Sequence, residues 1–456
     1  MSDTPQPPVT ALLAEQCRAI RFDTLPDEAL FAARQCLLDW VGVTLAGANE
    51  PLAVMLREDA LAEGGNPQAT LLGDGARVTA RQAALVNGSA SHALDFDDVN
   101  LAMSGHPSVP VWPALLALAE SRGGTGRDVL AAFVAGFEME CRIGWLVMPA
   151  HYSIGFHSTG TLGTFGAAAA CAHLLGFDQD QWQRTLGIAG AQAAGLKSMF
   201  GTMCKPLHAG KAAANGLFAA LMAERGFTSN PEVLETPQGF AATQTTSPNA
   251  ERALAAFGER YAVRDTLFKY HAACYGTHET IEGVLRLASQ HRLSPADVAA
   301  IELTVPQGHL AMCNIQEPST GLEGKFSLRF TAALALADGE TGEQAFTDER
   351  VQSPHLVDLR KRVSVQPAEG DWGRGTRVAI RTADGRSLEE QVNLNIPAAD
   401  LDLQWQRLES KFRSLAGPVV GAEQAEALVR AIAAFDAAPS VGELMRLASR
   451  APAGVA

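Results

Sequence analysis

Apolar side chains recur three and four residues apart through most of the first 265 residues, a spacing typical of amphipathic helices. Thr79 and Thr125 each precede a Gln or an Asp by three residues, as in a capping box that opens a helix. Two more helical stretches, 158–176 and 208–226, are crowded with Ala and Gly. Because Gly weakens a helix interior, we expect close packing of helix backbones to compensate there.

The pattern changes near residue 266. Residues 301–305 alternate as in a strand, and residues 376–393 predict a hairpin that turns at Asp384-Gly385. Helical periodicity is interleaved with these strands at about 276–291, 326–338 and 348–361, and it returns from about residue 400.

This order of elements predicts a mainly α fold with an inserted α+β domain. We place a helical domain at residues 1–265, an α+β lid domain at 266–398 and C-terminal helices at 399–456 that return to the helical domain. The chain has 456 residues, enough for about three domain-sized units.

Composition narrows the classes of function. Hydrophobic residues make up 47% of the chain and charged residues 19%, which is normal for a globular enzyme. The formal net charge of −14 opposes binding to nucleic acid or to an anionic membrane. An anionic small molecule would therefore need a local cluster of cations.

The seven cysteines show no CxxC spacing, and the N-terminus lacks the pattern of a signal peptide. We therefore expect a cytoplasmic protein without disulfides or structural zinc. The most apolar long stretch, 129–147, is interrupted by Glu138, Glu140 and Arg142, which predicts a buried or half-buried helix and not a membrane span.

Lysine is scarce: of 36 Lys and Arg residues only seven are Lys. Where arginine serves as the general cation, a retained lysine more often marks a place that needs a compact, titratable ammonium group. Five of the seven lie in stretches rich in His or Gly, namely Lys197, Lys205, Lys211, Lys269 and Lys325.

A run of carboxylates follows a predicted helix and contains Asp95, Asp97 and Asp98, with His106 shortly after. Buried together, like charges raise one another's pKa, so these groups require cations, a metal or water. Asp95 is a candidate general base or orienter of a catalytic His. A metal site built from these four residues and a set of solvated helix-end charges are the alternatives.

Two further segments offer cations. In 151–160, Ser158 or Thr159 could cap a helix and leave His157 at its positive end, which attracts carboxylates. In 205–211, Pro206 suits a first helical turn, which places Lys205 near the cap, with His208 in the same helix.

The segment 269–279 carries Lys269, His271, Cys274 and His278 at the predicted domain junction. Small-molecule sites often lie at such junctions. Cys274 could act as a nucleophile with one of the two histidines as its base, although an inert buried cysteine is the commoner outcome.

Taken in order, the stretches HALDFDD, GHPS, GFHSTGTLG, KPLHAGKAAANG, KYHAACYGTH and EGKFS resemble the MmgE/PrpD family, which includes 2-methylcitrate dehydratase, cis-aconitate decarboxylase and iminodisuccinate epimerase. The resemblance implies a helical domain with an α+β lid, a homodimer, an active-site cleft between the domains, and no metal or organic cofactor. It implies catalytic roles for Asp95, His106, His157, Lys205 and Lys269, and substrate contacts for His208, Cys274, His278 and Lys325.

Three positions depart from the decarboxylase-like members. Val99 stands where they carry Thr, Cys274 stands where they carry His, and 309–316 contains no Tyr. The expected function is a cofactor-independent lyase that transfers a proton next to a carboxylate of a small di- or tricarboxylic acid, by dehydration more than decarboxylation. An epimerase or isomerase of a dicarboxylate such as iminodisuccinate is the alternative, and a carboxylate-binding protein without activity is a third.

Overall fold

The computed structural model describes residues 7–369 and 375–449. The chain divides into two compact units, one formed by Met1–Phe268 with Ala398–Ala456 and the other by Lys269–Pro397. The first is helical and draws on both ends of the chain, and the second combines helices with a small sheet. The predicted mainly α fold with an α+β part is thus confirmed.

Fifteen α-helices of the described residues belong to the first unit. They are α1 (Val9–Arg18), α2 (Asp27–Gly47), α3 (Pro51–Glu63), α4 (Ala80–His92), α5 (Ser108–Arg122), α6 (Gly126–Val147), α7 (Ala150–Ile154), α8 (Ser158–Leu174), α9 (Gln179–Gly190), α10 (Cys204–Glu224), α11 (Phe240–Gln244), α12 (Ala250–Leu254), α19 (Leu401–Val420), α20 (Ala422–Ala433) and α21 (Gly442–Leu447). A short antiparallel ladder that the sequence did not predict joins β1 (Ala69–Thr70) to β2 (Arg77–Val78).

Local signals explain where the long helices begin. Thr79 and Thr125 form the predicted capping boxes with Gln82 and Asp128, and each threonine side chain accepts a hydrogen bond from the third helical N–H. The helix α2 is long and apolar enough to span a bilayer, but 83% of its most apolar stretch is buried inside the protein. Its place in the core accounts for that composition.

Glycine contacts bring the site-bearing helices together. A Cβ on Gly88 of α4 would lie 2.9 Å from the Cα of Gly210 in α10, so neither helix could approach as closely with a larger residue. His92 ends α4, and Lys205 lies in the first turn of α10. The crossing therefore places the carboxyl end of one helix beside the amino end of the other.

The second unit contains six helices and a four-stranded sheet within its described residues. They are α13 (Tyr275–His291), α14 (Gln307–Cys313), α15 (Gly321–Gly324), α16 (Leu328–Asp338), α17 (Asp348–Val351), α18 (Pro354–Lys361), β3 (Val298–Val305), β4 (Val363–Pro367), β5 (Thr376–Thr382) and β6 (Ser387–Val392).

The sheet has the order β4-β3-β5-β6, with β3 parallel to β4 and the other pairs antiparallel. The hairpin of β5 and β6 is the predicted one, in register from Thr376 opposite Val392. The single helix predicted at 348–361 is wrong: Pro354 begins a separate helix, since proline suits a first turn and cannot continue a helix. The strand β4 was not predicted.

Candidate active site

In the first unit, the buried carboxylate of Asp97 lies between the imidazoles of His92 and His106. The Nδ1 atom of His92 lies 2.9 Å from both carboxylate oxygens of Asp97. The Nδ1 atom of His106 lies 2.9 Å from Oδ2 of Asp97 and 2.8 Å from the backbone oxygen of Asp98. Because those neighbours of His106 only accept hydrogen bonds, its Nδ1 carries a proton and its neutral form has a free lone pair on Nε2.

Asp95 and Lys205 form an ion pair beside this triad. The ammonium of Lys205 donates to Oδ1 of Asp95 over 2.7 Å, and Nε2 of His106 lies 3.7 Å from the same oxygen. Asp95 has a φ of 52°, a left-handed conformation that is uncommon for a residue with a side chain. Such backbone strain often accompanies functional sites. The side chain of Asp95 is 29% exposed, more than those of Lys205 and His106.

A second pair of imidazoles adjoins the ion pair. The Nδ1 atoms of His157 and His208 lie 2.9 Å apart. The ring of Phe200 packs edge-on against His157, with centroids 5.0 Å apart, and lies 5.4 Å from the ammonium of Lys205. His157 is the residue that precedes the first turn of α8, but the predicted side-chain cap is wrong.

The hydroxyl groups of that first turn bind a neighbouring loop instead. Ser158 donates to the backbone oxygen of Ser104, and Thr159 accepts from the backbone N–H of His106. Gly105 fits this contact because a Cβ there would lie 2.8 Å from the hydroxyl of Ser158. The start of α8 thus fixes the loop that carries His106.

Burial and charge set the protonation of the cluster. Burial lowers the pKa of His92 to about 4 even though Asp97 opposes the shift. Burial also lowers the pKa of His157 well below its ordinary value, and His92, Lys205, His106 and His208 lower it further. His157 is therefore neutral at pH 7 and does not by itself supply the cation that the sequence suggested.

Asp97 and Asp98 differ in charge although they are adjacent. Burial tends to raise the pKa of Asp97, but His106 and His92 lower it well below the ordinary value, so Asp97 is ionised. Burial, with the nearby charge of Asp39, raises the pKa of Asp98 to about 8 against the opposing hydrogen bonds of Ser108. Only one negative charge is consequently buried at the base of the cluster near neutrality.

One group in the described part of the chain has the donor atoms for a metal ion. Ligand atoms of His92, Asp95, Asp97 and His106 all lie within 4.8 Å of one another. This set differs from the metal site suggested by the sequence, since His92 takes the place of Asp98. In this arrangement the ammonium of Lys205 already contacts Asp95, and a cation would compete with it.

The remaining predicted site residues lie in the second unit. Lys269 is buried there. Cys274 precedes α13 and donates its backbone N–H to the carbonyl of Lys325, whose ammonium binds both oxygens of Glu343 at 2.7 and 2.8 Å. His278 lies with its Nε2 3.1 Å from the carbonyl of Ala273.

The histidine beside them in sequence makes its own contacts. The Nδ1 of His271 lies 2.6 Å from the hydroxyl of Thr341, and its Nε2 lies 3.3 Å from a carboxylate oxygen of Glu282. Its ring packs against that of His278, with centroids 5.0 Å apart. A role for Cys274 as a nucleophile stays a prediction.

The first unit thus brings together five of the residues singled out from the sequence: Asp95, His106, His157, Lys205 and His208. It adds His92 and Asp97, which stood in the same carboxylate-rich segment but had no individual role. Their sequence signal was a helix-terminal His followed five residues later by an Asp, too common a spacing to single out.

Two protein-family models match the chain. Residues 11–253 match the model of the MmgE/PrpD N-terminal domain, and residues 271–437 match that of the MmgE/PrpD C-terminal domain. Together these matches span most of the chain.

Curated relatives match the chain along nearly its whole length. A cis-aconitate decarboxylase-like protein, oryM, of Aspergillus oryzae is 28% identical over 98% of both chains. The cis-aconitate decarboxylase of Homo sapiens is 26% identical over 93% of this chain and 91% of its own. That of Aspergillus terreus is 25% identical over 96% of this chain and 95% of its own.

Proposed function

Because the chain belongs to the MmgE/PrpD family, we propose that it is a lyase that removes a proton next to a carboxylate of a small tri- or dicarboxylic acid and then expels water. The observation that carries the proposal is the contact of Lys205 with Asp95, with the oriented Nε2 of His106 3.7 Å from the same Asp95 oxygen. It combines a cation for a carboxylate with a base for the adjoining carbon.

The chemistry follows from these groups. Loss of the α-proton moves charge onto the neighbouring carboxylate, so a fixed cation at those oxygens lowers the barrier. We assign that cation to Lys205 and the base to Nε2 of His106, because Asp97 and the Asp98 carbonyl hold its other nitrogen. A positioned base contributes roughly 10²–10⁴-fold.

Expulsion of water also needs an acid. The pair of His157 and His208 can take up one proton when an anionic substrate binds, and it can then protonate the departing hydroxyl group. The C–H and C–O bonds break, a C=C bond forms, and the proton on His106 returns to solvent. The acid and the base then lie on separate elements. His157 immediately precedes α8 and His208 lies in α10, whereas His106 lies in the loop before α5.

Decarboxylation is the second candidate, because the relatives from Homo sapiens and Aspergillus terreus are cis-aconitate decarboxylases. The ammonium of Lys205 would then assist loss of CO₂ from an unsaturated tricarboxylate as the C–C bond breaks. The protonated pair of His157 and His208 would protonate the resulting carbanion. Val99 and Cys274 differ from the decarboxylase-like pattern and argue against decarboxylation.

Proton NMR in D₂O on citrate, 2-methylcitrate, cis-aconitate and aspartate-like acids tests the proposal. New alkene signals with retained carbon number indicate dehydration, and CO₂ release indicates decarboxylation. Deuterium in recovered substrate without an alkene would point to the epimerase alternative. No exchange and no product with any acid, in a folded protein, would contradict the proposal. The variant His106→Gln serves as the control for exchange that the site does not catalyse.

We propose that catalysis needs no metal or organic cofactor, that the enzyme acts in the cytoplasm and that it forms a homodimer. None of the seven cysteines, all of which lie in the described part of the chain, forms a disulfide, as expected in a reducing compartment. Activity that EDTA abolishes and Mg²⁺ restores would contradict the first point, and sedimentation of a monomer would contradict the last. Roles for Lys269, Cys274, His278 and Lys325 stay predictions for mutagenesis.

A further inference from the structure

A buried lysine from the C-terminal segment contacts the backbone of the carboxylate loop. The ammonium of Lys411 in α19 lies 2.6 Å from the backbone oxygen of Phe96 and 2.6 Å from Oδ1 of Asp39 in α2. It also lies 4.0 Å from the centre of the Phe96 ring. The side chains of Lys411 and Asp39 are 5% and 1% exposed, so this ion pair is shielded from water.

The contacted residue stands between the two carboxylates of the candidate site. Asp95 precedes Phe96 in the left-handed conformation and binds Lys205, while Asp97 follows it and holds His92 and His106. A displacement of the Phe96 carbonyl would therefore move both carboxylates. Strained backbone persists only where its surroundings fix it, and Lys411 is such a constraint.

A second polar contact fixes how α19 lies along α2. The amide of Gln404 donates to that of Gln35 over 2.6 Å, and Gln35 donates to the backbone oxygen of Leu401 over 2.7 Å. Gln35 and Asp39 are four residues apart and share one face of α2. Buried polar pairs of this kind are best known for setting the register of packed helices.

We propose that Lys411 is a positioning residue, which acts through the Phe96 carbonyl to hold Asp95 and Asp97 in their working geometry. This inference rests on the proposed function for its catalytic consequence, although the loop geometry is testable without it. Misplacement of catalytic groups by about 1 Å can lower a rate about 100-fold.

Two variants separate positioning from stability. Lys411→Met leaves the Asp39 carboxylate buried without this ammonium, which is strongly destabilising. The double variant D39N/K411M removes both charges, and such replacement of a whole pair is often neutral in stability. Arg413→Met is the matched control in the same helix, because Arg413 is exposed and pairs with Glu426.

We expect the double variant to regain most of the melting temperature that K411M loses, but not its turnover. Its kcat should stay about 10- to 100-fold below that of the natural protein, with KM changed far less. The control R413M should change neither. If the double variant regains both melting temperature and kcat, Lys411 has only a structural role and the proposal is overturned.

Hydrogen exchange of the backbone provides a readout that needs no substrate. The amides of Asp95 and Val99 are bonded to the carbonyls of His92 and Leu267. Exchange in 93–100 should be faster in D39N/K411M than in the natural protein or in R413M. Unchanged exchange there would overturn the proposal even if no acid is ever turned over, whereas absent turnover with faster exchange would count only against the proposed reaction.

Discussion

The Nδ1 atoms of His157 and His208 lie 2.9 Å apart, so the N–H of one imidazole donates a hydrogen bond to the lone pair of the other. The two rings cannot both be doubly protonated in this arrangement. Burial lowers the pKa of both, and the nearby charge of Lys205 contributes to each shift. Both imidazoles are therefore mainly neutral at pH 7 in the free site.

We predict that binding of an anionic ligand is accompanied by proton uptake. A carboxylate beside His157 favours its charged form and raises its pKa, so affinity should increase as pH falls from about 8 to 6. Calorimetric titration with tricarballylate in buffers of different ionisation enthalpy measures the protons directly. Uptake should be about one proton or less per site, and it should decrease in His157→Gln. Binding that releases protons would contradict the assignment.

We predict that Lys205 is required for turnover and Lys211, in the same helix, is not. Lys205→Met removes the cation opposite the developing charge and leaves Asp95 without this ammonium. The ratio kcat/KM should fall about 10³-fold, or roughly 4 kcal/mol. Lys211 is exposed, so Lys211→Met should remain within about twofold. Equal losses in the two variants would indicate a general effect of charge.

We predict that substitution by Asn lowers kcat at Asp97 but changes it little at the adjacent Asp98. Asp97→Asn removes the ionised acceptor that two imidazoles share, so one of them must change tautomer. The expected loss in kcat is about 10²–10⁴-fold. Asp98 has a pKa of about 8 and is protonated at pH 6.5, so Asp98→Asn should change kcat little there. Activity measured at pH 6.5, with melting curves for both variants, makes the comparison.

Helix starts and the hairpin turn could be predicted from the sequence because a few adjacent residues determine them. Capping boxes at Thr79 and Thr125 and the turn at Asp384-Gly385 each depend on a few adjacent residues, and each lies where the sequence placed it. The strand β4 pairs in parallel with β3 across about 60 residues, and nothing near Val363 in sequence predicts that partner. Strand pairing between segments far apart in the chain therefore could not be predicted from local sequence patterns.

In the candidate site, too, local features could be predicted and features that depend on packing could not. Scarcity of lysine pointed to Lys205, whose neighbourhood of His and Gly was visible in sequence. Lys411 is also one of the seven lysines, but it lies in an ordinary amphipathic helix and its partner Asp39 is 372 positions away. Its contact with the site therefore could not be predicted. His157 was expected to be a cation, and its neutral state depends on burial that arises only from the packed helices.

We predict that the buried carboxyl group of Glu140 makes the stability of the protein depend on pH. Its side chain is buried in α6, and neither carboxylate oxygen has a hydrogen-bond partner among the described residues. It packs against α8 at Gly166, where a Cβ would lie 2.5 Å from Oε2. Burial raises the pKa of Glu140 well above its usual range. Glu140 is therefore protonated in the folded protein.

The sign of the pH dependence follows. Below the unfolded pKa of about 4.3 both states are protonated and the carboxyl group costs nothing extra. As pH rises, the unfolded chain releases the proton while the folded protein retains it, so the free energy of unfolding falls by up to about 1.4 kcal/mol per pH unit. Glu140→Gln removes this loss, and its advantage in urea denaturation should grow between pH 5 and 7.

Glu138→Gln is the matched control on the same helix. Glu138 binds Arg142 and accepts the backbone N–H of Ala262, both over 2.7 Å, so its loss leaves a buried guanidinium without this carboxylate. Glu138→Gln should destabilise the protein by about 3 kcal/mol or more at pH 7, whereas Glu140→Gln should stabilise it. A Glu140→Gln variant whose stability falls in parallel with that of the natural protein as pH rises would show that Glu140 is ionised when folded.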